Sequence, residues 1–378
     1  MTNLRIGLIG FGFMGKTHLW AVQNLPFFYK TEELGFTAEV ATVCSSSLSK
    51  AEAAAQEFHI PRAVSSPEEI ISDPSIDIVD ICTPNPCHFD VAKAAILSGK
   101  HVLCEKPLTV TAEEAWELAR LADERGVVCG TVFNNRFLSP VMRARQLIEE
   151  GRLGRILSFD FSYKHNSCID PERRVGWKQQ ADFGGGTLYD LGPHVLDLCR
   201  YLCGDLASVT AQSQIAYDTH LKADGSSWST DADEAFYMIC RAKSGAMGTV
   251  TVSKLIQGAN DELTFAVNGE KGSLSFSLMD HNYLYFYDAT AVGAPLGGVR
   301  GYTRIECVGR YSSPASGFPT VKAPQGWLRG HIGCMANYLS CVAANRSCSP
   351  SFEDGAAVQT LLEAAVQSDR EGREVSLC

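Results

Sequence analysis

Residues 4–9 form an apolar run that ends on Gly10-Phe11-Gly12-Phe13-Met14-Gly15, and a helical pattern continues through Leu25. Strand, GxGxxG and helix in that order constrain the fold more than any other feature of the chain, because each glycine answers a separate steric demand. Gly10 permits the tight turn, Gly12 lets a diphosphate approach the main chain, and Gly15 lets helix and strand pack closely. Main-chain amides at the helix N-terminus then face the phosphates. The stretch predicts a dinucleotide site, with Gly10, Phe11, Gly12, Phe13, Met14 and Gly15 as its phosphate turn.

Beyond Leu25 the chain keeps the same rhythm. After a longer connection over 26–35 come a strand at 38–44, a short helix at 67–72 and a strand at 76–81 that runs into Thr83-Pro84-Asn85-Pro86. A helix at 88–98, a strand reaching Glu105, a helix at 111–125 and a strand at 127–132 complete the alternation. Strands alternating with helices of this length predict a doubly wound parallel sheet of the Rossmann type over residues 1–130. Past that point the pattern changes. A helix at 140–151, a strand at 156–163, a polar loop at 164–182 and a helical period at 184–202 precede strand-like runs at 209–215, 234–241, 246–254, 262–267, 273–277 and 283–287. Turn signals at Lys243-Ser244-Gly245 and Asn268-Gly269-Glu270-Lys271-Gly272 join neighbouring runs as hairpins. Residues 131–378 are therefore expected to form an α+β domain with a large, mainly antiparallel open sheet. Residues 288–328, rich in Gly and Pro, read as one long loop, and helices at 329–344 and 353–371 close the chain. The fold class is α/β.

Composition narrows the partners. A net charge of −10 and a pI near 5.4 argue against nucleic acid or an anionic membrane as the main partner. No stretch approaches the roughly 18 apolar residues of a membrane span, and the N-terminus lacks a basic segment followed by a signal-type apolar core. A cytoplasmic protein is expected. The 14 cysteines then read as thiols in a reducing compartment. Cys199 and Cys203 are one helical turn apart, and Cys334, Cys341 and Cys348 recur every seven residues; both patterns suit small buried positions better than ligands. There is no CxxC pair, and no metal is expected.

Two further motifs carry chemistry. Cys104-Glu105-Lys106-Pro107 ends a strand at the side where open α/β sheets bind ligands. A lysine there is a fixed point charge that can donate protons, and Pro107 makes the Lys106–Pro107 bond a candidate for the cis form. Downstream, Asp190 and His194 stand four apart in a helical stretch, behind Gly184-Gly185-Gly186. That spacing puts both on one helix face, where a carboxylate can orient an imidazole for general-base work. Taken singly, the lysine reads as a surface residue before a loop proline and the pair as an exposed helical ion pair. A nucleotide turn, a lysine strand end and an Asp–His helix in one chain favour catalysis. The second strand ends in Cys44-Ser45-Ser46-Ser47 with Lys50 close behind, where an NAD-specific fold places an acid for the ribose 2′-hydroxyl. Ser45 and Ser46 suit either ribose hydroxyl or 2′-phosphate. The cofactor is expected to be NAD or NADP, leaning to NADP.

Together these motifs resemble the glucose–fructose oxidoreductase / inositol dehydrogenase (Gfo/Idh/MocA) family of NAD(P)-dependent sugar and polyol dehydrogenases. The resemblance rests on the Gly10–Gly15 turn, Thr83-Pro84-Asn85-x-x-His88, Gly99-Lys100-His101-Val102-Leu103-Cys104-Glu105-Lys106-Pro107 and Asp190-x-x-x-His194. Phe352-Glu353-Asp354-Gly355, Ser368 and Gly372-Arg373-Glu374-Val375 extend it nearly to the chain's end. The serine run and the aromatic 26–35 connection depart from the pattern. Carried over position by position, the resemblance implies that Lys106 is the catalytic lysine, His194 the acid/base and Asp190 their carboxylate partner. It implies further that Thr83, Pro84, Asn85, His88 and Glu105 contact the cofactor, and that Asn135 and Arg136 lie near nicotinamide and substrate. From position alone, Lys164, His165 and Trp177 are candidates for a sugar-binding wall. The activity so implied is reversible oxidation of a secondary hydroxyl on a sugar, glycoside or inositol to a ketone, by a homo-oligomer (dimer or tetramer). A redox-assisted, NAD-dependent glycosidase and a non-catalytic nucleotide-binding regulator are the alternatives.

Overall fold

Every position of the strand Ile78–Ile81 is buried, as a strand covered on both faces must be, and three of its four residues are Ile or Val. It belongs to the first of two units in the computed structural model, which describes residues 2–170, 172, 174, 176–308 and 326–377 without the side chains of Trp177 and Asp182.

In chain order the first unit runs β1 (Thr2–Ile9), α1 (Phe13–Phe28), α2 (Thr31–Leu34), β2 (Phe36–Cys44), α3 (Leu48–Phe58), β3 (Arg62–Val64), α4 (Pro67–Ile71), β4 (Ile78–Ile81), α5 (His88–Leu97), β5 (His101–Cys104), α6 (Ala112–Arg125) and β6 (Cys129–Thr131). Its sheet is ordered β3-β2-β1-β4-β5-β6 and every pairing is parallel. The order reverses beside β1, so the glycine turn leaving β1 stands at the switch point where such sheets take ligands. Local chemistry sets the helix ends. Thr111 and Glu114 form a reciprocal capping box on α6, and Gly126 closes it with φ of 63°.

The second unit starts with α7 (Ser139–Glu149) and β7 (Ile156–Lys164), then α8 (Thr187–Cys203), β8 (Leu206–Gln214), β9 (Thr219–Leu221), β10 (Ser227–Ser229), β11 (Ala235–Ala242), β12 (Met247–Ser253), β13 (Glu262–Gly269), β14 (Gly272–Ser277), β15 (Tyr283–Asp288) and β16 (Tyr302–Glu306). The chain ends with α9 (Leu328–Ala343), α10 (Phe352–Glu371) and β17 (Val375–Ser376). The nine-stranded sheet is ordered β16-β15-β14-β13-β7-β12-β11-β8-β17. Its pairings are antiparallel except β7 with β12. Burial alternates along β11 and β13, the signature of a sheet covered on one face. α8 is the cover, packed over β7, β11 and β12.

Several expectations change. A single cut at 130/131 does not describe the chain: the first unit reaches Phe137 and reclaims a later stretch ending at Gln359, and the second resumes at Thr360. The physical reason is α9, whose Ile332, Met335 and Leu339 are buried in one core with Leu4, Leu19 and Val43. Gly130 also bridges Ser351, and Thr131 Oγ1 donates to the Ser351 carbonyl at 3.0 Å. The 26–35 connection is mostly helical, since α1 runs through Pro26 to Phe28 and α2 comes next. The loop expected over 288–328 contains β16, paired with β15; residues 309–325 lie outside the described residues. The hairpin of β9 and β10 was not anticipated at all.

Candidate active site

The glycine turn fits a dinucleotide. Gly10 has φ of +94°, and a Cβ there would lie 2.5 Å from the Cys82 carbonyl oxygen. At Gly15 a Cβ would meet the Gly10 carbonyl oxygen at 2.1 Å, while at Gly12 it would enter open space. One position turns, one packs and one leaves room for a diphosphate, the division of labour the motif requires. Phe13 is 74% exposed with its ring 5.7 Å from Trp327 at the head of α9, and Met14 is half-buried. At the end of β2, the Ser46 hydroxyl accepts from Lys50 Nζ at 3.4 Å and Ser47 caps α3; Ser45 is half-buried beside them. The Thr83 hydroxyl is buried with no hydrogen-bond partner among the described residues, next to the Gly10 turn.

Beside this turn lies a chain of buried charges. His18, on α1, places Nδ1 2.9 Å from Asp80 Oδ1 and Nε2 3.1 Å from Glu105 Oε1. Side-chain exposure is 3% for His18, 2% for Asp80 and 7% for Glu105. Burial works against a charge on the ring, but the Asp80 carboxylate, with Cys82 beside it, lifts its pKa well above the ordinary 6.5. Burial likewise pushes Glu105 up, yet the hydrogen bond and charge of His18, with Lys106 beyond, bring it down to about 2. Glu105 Oε2 accepts the main-chain N–H of Lys106 at 3.0 Å, and the Lys106–Pro107 bond is cis.

His18, Asp80 and Cys82 bring three potential ligand atoms within 4.8 Å. Both ring nitrogens face carboxylates, however, so the ring acts as a double donor and offers no lone pair. Burial holds the Cys82 thiol up at about 12, although the His18 charge pulls it down. The set suits an ion-pair chain better than a cation. The other cysteines singled out, Cys199, Cys203, Cys334, Cys341 and Cys348, are all buried.

The second unit carries the other candidates. Asp190 sits in the first turn of α8, and its carboxylate lies between two ammonium groups, Lys178 Nζ at 2.8 Å and Lys254 Nζ at 2.9 Å. Lys254 is 4% exposed and Lys178 48%. Four residues on, the His194 ring stands 5.8 Å edge-on from that of Tyr163. Tyr163 Oη donates to Asp261 at 2.5 Å, and His165 Nε2 contacts the same oxygen at 3.1 Å. His165 therefore joins the set around His194, and Lys164 precedes it as the half-buried last residue of β7. Asp233 braces α8 from outside: its carboxylate accepts the Leu188 N–H at 2.8 Å, and burial raises its pKa to about 6 against the pull of that bond and of Lys254.

Other expected residues are placed differently. His88 is fully buried with Nδ1 2.9 Å from the Pro107 carbonyl and Nε2 2.9 Å from that of Thr83, so it braces the Thr83-Pro84-Asn85 turn from within rather than facing a cofactor. Asn85 is buried in that turn and Pro84 is exposed. Arg136 pairs with Asp354 at 3.1 Å and donates to the Ser349 hydroxyl, contacts that tie β6's end to the returning chain. Asn135 is buried, its side-chain oxygen accepting weakly from Asn134 at 3.4 Å. The side chain of Trp177 lies outside the described residues. Sequence reasoning missed His18, Asp80, Lys178, Lys254 and Asp261. An aspartate inside the apolar run of β4 is the signal that could have exposed the first pair.

Comparison with known proteins agrees with this architecture. Residues 4–133 match the oxidoreductase family with an NAD-binding Rossmann fold, and residues 141–275 match the GFO/IDH/MocA C-terminal domain. Levoglucosan dehydrogenase of Pseudarthrobacter phenanthrenivorans is 32% identical over 97% of this chain and 96% of its own. A solved levoglucosan dehydrogenase in complex with NADH and L-sorbose superposes with a TM-score of 0.93, at 31% identity and full coverage of both chains. The scyllo-inositol 2-dehydrogenase (NADP(+)) IolW of Bacillus subtilis is 32% identical over 55% of this chain and 54% of its own. With both of its domains matched and a relative aligned nearly end to end, the chain belongs to the GFO/IDH/MocA family of oxidoreductases.

Proposed function

We propose that the protein is an NAD(P)-dependent dehydrogenase that reversibly oxidises a secondary hydroxyl of a sugar, glycoside or inositol to a ketone. When bound, the nicotinamide supplies the acceptor for the carbon-bound hydrogen and its electron pair. The imidazole of His194 takes the hydroxyl proton. The Lys106 ammonium donates a hydrogen bond to the same oxygen and stabilises negative charge as it develops there. Asp190 orients His194 and is itself paired with Lys178 and Lys254. The observation that carries the reading is this clamped carboxylate one helical turn from an imidazole. The dinucleotide would be held by Gly10, Gly12 and Gly15, with Thr83 offering a hydroxyl in need of a partner.

The test is nicotinamide absorbance of the purified protein with NAD or NADP while levoglucosan, L-sorbose, D-xylose, inositols and simple glycosides are added. Reduction of the cofactor with at least one of them, and one ketone formed per cofactor reduced, supports the reading. Release of an aglycone without net reduction would favour the glycosidase, and tight dinucleotide binding without turnover the regulator. NADP is expected to bind at least as well as NAD, because Ser46 and Lys50 offer a hydroxyl and a cation where an acid would repel a 2′-phosphate. A homo-oligomer is the expected assembly, supported by the exposed Tyr237, Ile239 and Met247 on the open side of the second sheet.

A further inference from the structure

The proposed mechanism gives no task to the buried charges at the strand ends of the first unit. His18 is carried by α1, three residues after Gly15, so the helix that begins at the phosphate turn also carries this ring. Asp80 and Glu105 come from the neighbouring strands β4 and β5, the latter just beyond the strand's last residue. Three separate elements converge on one imidazole, and the outermost carboxylate oxygen rests on the main-chain N–H of Lys106. Charge alternates along the way: Asp80 negative, His18 positive, Glu105 negative, Lys106 positive. A buried ion chain costs desolvation that an apolar cluster would avoid, and nothing in the packing of β4 calls for an acid.

We propose that His18 is a positioning residue for Lys106: clamped by Asp80, it holds the Glu105 carboxylate against the main-chain N–H of Lys106 and so fixes the point from which the lysine reaches the reacting oxygen. This rests on Lys106 being the catalytic lysine. The groups facing His18 are Asp80 and Cys82 from β4 and its end, Glu105 and Lys106 from the end of β5, and His331 and Cys334 from α9. His331 cannot replace it: burial lowers its pKa to about 3, and its ring centroid is 6.4 Å from that of His18. A neutral His331 leaves His18 as the cation that meets Glu105.

The two ring nitrogens allow the role to be separated from packing. In His18→Asn the amide takes the place of Nδ1, keeping Asp80 and abandoning Glu105; in His18→Gln it takes the place of Nε2 and keeps Glu105. The Asn variant should lose about 10²-fold in kcat, the cost of a misplaced catalytic group. Its acid limb of kcat/KM should also steepen by one proton as the unsupported buried Glu105 begins to titrate. The Gln variant should stay within about tenfold of the parent and keep the parent's slope. Adding Glu105→Gln to His18→Asn should remove the extra proton. Equal losses and unchanged slopes in both single variants would overturn the proposal. If neither folds, Asp80→Asn keeps the hydrogen bond but removes one charge, so His18 should deprotonate within the assay range and activity should gain an alkaline limb; its absence would overturn the proposal equally. Lys106→Met run in parallel separates the two layers. Near-normal turnover there sinks the lysine reading, whereas collapse there with His18 variants like the parent sinks only the positioning role.

Discussion

Two charge clusters in this protein are built with opposite sign. At the strand ends of the first unit a cation, His18, lies between two carboxylates, and all three are nearly excluded from water. At the head of α8 in the second unit an anion, Asp190, lies between two ammonium groups, one buried and one half in solvent. The first cluster has no solvent to screen it and is bound to its full desolvation cost, so every member must stay. The second is graded: Lys254 is buried, and Lys178 is half exposed. A closed cluster suits a framework that must not move. A cluster with one exposed arm can exchange that arm for a polar ligand.

The largest effect should come from opening the closed cluster. Asp80→Ala leaves a buried imidazolium with one carboxylate and should cost about 3–5 kcal/mol in urea unfolding, the penalty for breaking a buried pair from one side. In the graded cluster Lys254→Met should cost about 1–3 kcal/mol, the range for an unsatisfied buried acceptor, and Lys178→Met no more than about 1 kcal/mol. If Lys178 proved as costly as Lys254, the distinction between the two clusters would fail.

A smaller, pH-dependent effect sharpens the same contrast. His18 has a raised pKa, so its contribution is complete below its unfolded value and is lost as pH rises through the folded one. His331 has a lowered pKa, about 3, so its contribution is complete above the unfolded value near 6.5 and is lost as pH falls toward 3. His331→Phe keeps a ring against Trp327 and removes the proton site. It should raise stability at pH 4 relative to the parent and leave pH 8 nearly unchanged, read from thermal unfolding at both values. A variant equally shifted at both would mean that His331 does not titrate as its burial dictates.

How much of this was legible in the sequence depends on range. The β1–Gly10–α1 unit, the end of β5 at Lys106 and the Asp190–His194 spacing are set by residues within one or two turns, and their signals are local. β3 is three residues long and includes an arginine, too short for periodicity to register. The return of α9 to the first unit depends on which core its apolar face enters, and no residue within the helix states that. Lys254, just after β12, and Asp261, just before β13, reach Asp190 and Tyr163 from far along the chain. His88 and Arg136 sit where a resemblance places contacts, and the sequence does not show that two main-chain carbonyls face the one and Asp354 pairs with the other. Asp80 was readable in principle, because an acid between Val79 and Ile81 in a buried strand must find a partner.

The central claim is that Lys106 and His194 act on one substrate oxygen in different ways, and pH–rate profiles of His194→Asn and Lys106→Met test it most directly. His194→Asn removes the proton acceptor; oxidation should slow by about 10²–10⁴ and partly recover at high pH, where hydroxide takes the proton. Lys106→Met removes the charge beside the forming alkoxide, and high pH should not restore it, since no solvent base replaces a fixed cation. Dinucleotide affinity should change little in either, because the proposed phosphate turn is Gly10–Gly15. Near-normal turnover in Lys106→Met, or loss of the dinucleotide in both variants, would contradict the assignment.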